Sequence, residues 1–121
     1  LGCAAALATL AIFESDDVIH RNKSIAAEMA KQAGQLSDHP HIRQIRQTGM
    51  ILAFELGQDS ATPFPVDQRR GLKAYRAGLA NGAILRPLGD ILYWMPPYCI
   101  KREEIGLLLN ATSNAIEEAC R

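Results

Sequence analysis

ILRPLGDILYWMPPY, residues Ile84–Tyr98, reads as two short strands folded back on each other. Ala83–Arg86 and Ile91–Met95 are the apolar runs, and Pro87-Leu88-Gly89-Asp90 carries the turn chemistry between them. Pro96-Pro97 stops the second strand, because neither residue can donate to a ladder. Helical periodicity flanks the pair on both sides. Upstream, Leu72, Tyr75 and Leu79 form an apolar stripe that Asp67 can cap and Asn81-Gly82 can close. Downstream, Ile105, Leu108, Leu109, Thr112, Ile116 and Ala119 share one face of a helix from about Arg102 to Ala119, with Glu103 and Glu104 suited to its N-terminal dipole.

Working further outward, the period changes between His41 and Leu56. Ile42 and Ile45 lead to Thr48-Gly49, and Met50 to Leu56 follow, which predicts two strands joined or bent at Gly49. Glu55 is a lone acid in the second of these strands, and residues 58–65 form a polar, proline-containing loop. Before them, Ile25, Met29, Ala33 and Leu36 recur at helical spacing, with Ser15, Asp16 and Asp17 as turn and N-cap residues. Residues 1–14 are rich in alanine and leucine and predict a first helix. The order is therefore α-α-β-β-α-β-β-α, an α/β chain of the α+β type. Its simplest layering is a small, largely antiparallel sheet with helices on one face.

Composition narrows the function classes. A chain of 121 residues suits one domain, and 13 basic against 13 acidic side chains give a formal net charge of zero. Such a chain has no long-range attraction for nucleic acid or an anionic membrane. The apolar segment at residues 1–13 lacks a basic leader and falls short of the roughly 20 residues a spanning helix needs. Cys3, Cys99 and Cys120 are odd in number and without metal-ligand spacing, which reads as reduced thiols in a cytoplasmic protein, with Cys99 in the core. His20, His39 and His41 lack further ligands for a metal and read as structural or solvent-facing.

Arg86 is the residue most suggestive of chemistry. It interrupts an apolar run at a strand end, where a guanidinium is costly without an anion, and its planar fork suits a carboxylate. The structural alternative is an arginine that snorkels from the strand edge or pairs with Asp90 or Glu55. Tyr93, Trp94 and Tyr98 follow closely and would either shape a pocket for a carboxylated ligand or pack in the core. Phosphate-binding glycine motifs and nucleophile elbows are absent, so the pattern offers an arginine-centred pocket and no catalytic residue.

The run R-P-L-G-D-x-L-Y-x-M-P-P-Y (86–98) resembles the C-terminal signature of the class III, fold-type I, PLP-dependent aminotransferases, most closely their biotin-synthesis branch. LGCAAALATLAIFE (1–14) and IRQTGMILAFEL (45–56) resemble the same family in order and spacing, so the likeness covers essentially the whole chain. It implies the small C-terminal domain at 15–121, with 1–14 as a helix leading from a large PLP domain. It implies Arg86 as the substrate-carboxylate ligand and Tyr93 as a second substrate-binding residue. It further implies a cytoplasmic homodimer that moves an amino group from S-adenosylmethionine to 8-amino-7-oxononanoate. Another amine or ω-amino acid as substrate, or a freestanding carboxylate-binding module, remains open at this point. None of Lys23, Lys31, Lys73 and Lys101 matches the family's Schiff-base lysine, so PLP is not expected on these residues alone. Lys101 also stands where relatives often cap the last helix with threonine, an expected loss of about 1 kcal/mol.

Overall fold

The computed structural model describes all 121 residues, Leu1–Arg121. Helices α1 (Gly2–Ser15) and α2 (Val18–Ala33) precede strands β1 (Ile42–Thr48) and β2 (Ile51–Leu56). Helix α3 (Arg70–Ala80) leads to β3 (Arg86–Leu88) and β4 (Ile91–Trp94), and α4 (Arg102–Cys120) ends the chain. The sheet is fully antiparallel in the order β1-β2-β4-β3. Gly49 turns β1 into β2 at φ +55°, a left-handed conformation that glycine adopts at little cost.

Side-chain alternation divides the sheet into two unlike faces. Leu52, Phe54, Leu56, Leu92 and Trp94 are buried and join Met29 of α2, Ala74 and Ala77 of α3, and Ile105, Ile116 and Ala119 of α4 in one core. Ala53, Glu55 and Tyr93 point the other way and are half-buried. Phe54 and Trp94 meet edge to face at 5.0 Å, and the Trp94 indole donates to the Thr112 hydroxyl at 2.9 Å. That hydroxyl donates in turn to the Leu108 carbonyl, so both buried polar groups are satisfied.

The hairpin from Arg86 to Trp94 is shifted from its expected bounds. Pairing starts at Arg86 and includes Pro87 and Leu88, and the turn is only Gly89-Asp90, with Gly89 at φ +61°. Pro87 is tolerated inside β3 because β3 is an edge strand, where a missing N–H disturbs one side of the ladder at most.

Helix α3 departs most from expectation. Its buried residues are Gly71, Ala74, Ala77 and Gly78, whereas Leu72 and Tyr75 are half-buried and Leu79 is exposed. Small residues face inward because the helix lies almost against the hairpin. A Cβ on Gly71 would stand 2.0 Å from the Gly89 carbonyl oxygen, and one on Gly78 would stand 2.8 Å from a Leu85 methyl.

Several caps also differ. Asp67 lies in a 3-10 turn and does not cap α3; the Gly71 N–H is instead bonded by Asp90 Oδ1 at 2.9 Å, from across the fold. Asp17 precedes α2 in a left-handed conformation and makes no side-chain cap. At α4, Glu104 accepts the Lys101 backbone N–H at 2.7 Å, half of a capping box, while the Lys101 side chain makes no cap. The Arg70 guanidinium lies over the Phe64 ring and donates to the Ala119 carbonyl, one of those left over at the end of α4. Cys99 is exposed in the turn after Pro96-Pro97 and is not a core residue. Cys120 is half-buried, and burial pushes its thiol up to about 11.

Candidate functional site

The register carries Arg86 and Tyr93 to the same place. They are direct partners across β3 and β4, so their Cβ atoms lie about 5 Å apart on the face that the helices leave uncovered. The row continues from Tyr93 to Ala53 and from Ala53 to Arg46, crossing all four strands. Ala53 is the small residue beside Tyr93 in this row.

Neither acid suggested as a structural partner of Arg86 is free to take that role. Asp90 turns its carboxylate to the start of α3. Glu55 is held by Arg43 at 2.5 Å and by Arg46 at 3.6 Å. Arg86 itself is exposed and makes no salt bridge or side-chain hydrogen bond within the chain. Its five donors are available to a ligand. On this face the one acid of the β2 strand is neutralised by two guanidiniums, so the field around Tyr93 favours an anion.

Arg86 also lines a cleft of about 700 Å³ between the approach to β3 and helix α4. Ile84, Met95, Leu107 and Leu108 give it an apolar wall, while Glu104 contributes a carboxylate and Tyr93 takes no part. This cleft therefore presents both a guanidinium, Arg86, and a carboxylate, Glu104, whereas the sheet face beside Tyr93 presents Arg86 without a free acid.

The expected aromatic cluster is divided. Tyr93 remains beside Arg86, Trp94 belongs to the core, and Tyr98 meets Phe13 of α1 edge-on at 6.2 Å. The histidines form no metal site: His39 Nδ1 accepts the His41 N–H, and no group of three metal-ligating side chains occurs. The glycines that seat the hairpin on α3 escaped the sequence reading. Their signal was present in the seven-residue spacing of Gly71 and Gly78, which puts both on one helix face.

A scan against family models matches residues 1–116 to "Aminotransferase class-III". The chain belongs to the class-III aminotransferase family. Among curated relatives of this class-III chain, the adenosylmethionine-8-amino-7-oxononanoate aminotransferase of Geobacter sulfurreducens is 36% identical over 118 residues, covering 96% of this chain and 26% of the relative. The protein of the same name from Anoxybacillus flavithermus is 33% identical over 98% of this chain and 26% of its own length. The crystal structure of that aminotransferase from Methanocaldococcus jannaschii superposes with a TM-score of 0.90 at 32% identity, covering 96% of this chain and 27% of that one. The class-III chain thus spans about a quarter of the length of the relatives it matches.

Lys23, Lys31, Lys73 and Lys101 are all exposed. Lys23 stands beside a cleft of about 610 Å³ near Thr48, Met50 and Tyr98, but that lining holds no carboxylate to engage a pyridine nitrogen. The residues of this class-III chain do not by themselves fit PLP. No helix of the chain is long and apolar enough to cross a membrane.

Proposed function

We propose that this chain is the substrate-carboxylate side of a longer, PLP-dependent aminotransferase that makes 7,8-diaminononanoate in biotin synthesis. In this reading S-adenosylmethionine is the amino donor and 8-amino-7-oxononanoate the acceptor. Residues 15–121 are the small domain, and α1 leads to the large domain, whose residues hold the cofactor. The complete enzyme works as a cytoplasmic homodimer. Arg86 grips the substrate carboxylate through its planar fork, and Tyr93 borders the aliphatic part of the same ligand.

The observation that carries this reading is the uncommitted guanidinium of Arg86, paired across strands with Tyr93 on the uncovered face while Asp90 and Glu55 are engaged elsewhere. Relatives named for this reaction support the choice of substrates. The test is Arg86→Ala in the complete polypeptide. A charge-assisted pair contributes roughly 1.5–3 kcal/mol, so kcat/KM for 8-amino-7-oxononanoate should fall about 10- to 100-fold. Unchanged kinetics with both substrates would remove Arg86 from the site. Activity with alanine, and none with S-adenosylmethionine, would move the enzyme to another branch of the family.

A further inference from the structure

The side chain of Arg86 receives no support from any partner in the chain, so its aim depends on the strand that carries it. That strand is short, lies at the sheet edge and contains a proline, three properties that leave it weakly held by its own ladder. What holds it is the turn at its end. The Asp90 side chain accepts the Gly71 N–H of α3 at 2.9 Å. The Asp90 carbonyl accepts the Leu56 N–H at the end of β2, also at 2.9 Å. One residue thus ties the hairpin to a helix on one side and to the neighbouring strand on the other.

The fit on the helix side is close. The missing Cβ of Gly71 lets the Gly89 carbonyl approach to within 2.0 Å of where that atom would be. Farther along α3, Leu85 packs over Gly78 immediately before Arg86. The two contacts bracket the arginine, and Asp90 supplies the directional bond in the bracket. The first residues of α3 receive no cap from Arg69, so the Asp90 carboxylate also meets a need of the helix.

We propose that Asp90 is a positioning residue: by bonding the start of α3 it fixes the β3–β4 turn, and so sets where Arg86 presents its guanidinium to a substrate carboxylate. Asp90 touches no ligand itself. The inference rests on the assignment of Arg86 as the carboxylate holder and extends it.

The experiment compares 8-amino-7-oxononanoate with its methyl ester, which lacks the negative charge, in the complete polypeptide. Asp90→Ala should lower kcat/KM for the acid about 10- to 100-fold, mostly through KM, because an error of about 1 Å in position has costs of that size. The ester, which does not use the guanidinium fork, should change far less. Asp90→Asn keeps an acceptor at the same place and should restore most of the loss. Asp90→Glu keeps the charge but adds a methylene between turn and helix, so it should raise KM for the acid while the protein still folds; it serves where Asp90→Ala is too unstable to assay. An equal loss with acid and ester, together with a lowered melting temperature, would reduce Asp90 to a structural role and overturn the proposal. Arg86→Ala is the control. If it discriminates between acid and ester and the Asp90 variants do not, only the positioning role falls. If Arg86→Ala does not discriminate either, the carboxylate assignment falls and takes the positioning role with it.

Discussion

Thr112 is the one polar side chain that the core takes in completely, and its hydroxyl explains why a tryptophan can sit opposite it. The oxygen accepts from the Trp94 indole and donates to the Leu108 carbonyl, so a single atom satisfies two neighbours. Thr112→Val keeps the shape and leaves the buried indole N–H without an acceptor, at a cost of about 1–3 kcal/mol in urea denaturation. Adding Trp94→Phe removes the orphaned donor, so the double variant should be more stable than the sum of the two single losses predicts, by about 1 kcal/mol. Strict additivity would mean that the indole bond contributes nothing. At this scale the sequence was readable in part. Alternation along β4 separates Tyr93 from Trp94, but which of them meets the core depends on the face the helices choose. Arg86 stood out because a charge interrupts an apolar run; its freedom from Asp90 and Glu55 required coordinates, since both acids lie near enough in sequence or in pattern to claim it.

Between α2 and β1, the segment around His39-Pro40-His41 joins a helix to an edge strand and holds His39 partly buried. Burial, followed by the neighbouring His41, holds His39 below the usual histidine range. Its Nδ1 accepts the His41 N–H, a bond that protonation of that nitrogen removes. A histidine whose folded pKa lies below the unfolded value of about 6.5 supports the fold above that pH and ceases to do so as pH falls through the folded value. Melting temperature should therefore decline on acidification from pH 7, and His39→Gln should flatten that decline; identical slopes for the two proteins would exclude His39 as the cause. Element existence and order were legible because the 3.6 and 2 periodicities are strong here. The buried face of α3 was not, because its largest apolar residues do not mark it: the contact needs glycine and alanine for close approach. Its cap was equally hidden, since Asp90 lies 19 residues from its partner whereas Asp67 is local.

For the molecule as a whole, α1 is the part least at home. It buries none of its residues, and Leu7, Leu10 and Ile12 are 68%, 60% and 53% exposed. Its visible attachment to the rest is the Phe13–Tyr98 edge contact and a short packing on α2. An apolar helix in water seeks another surface. The 121-residue chain should self-associate in sedimentation velocity at micromolar concentration, and Leu7→Glu with Leu10→Glu should return it to monomer. A dilution-insensitive monomer without those changes would count against the assignment of α1 as a buried element of a larger assembly. The layer arrangement was readable from the sequence because each helix but the first is amphipathic; what α1 covers was not, because a helix apolar all round names no direction. The seat of the hairpin on Gly71 has a consequence for anyone recombining such domains. Residues 84–98 are not a detachable cassette: a crossover placed between α3 and β3 would join a turn to a helix not cut to receive it, so chimaeras should exchange residues 70–98 as one block.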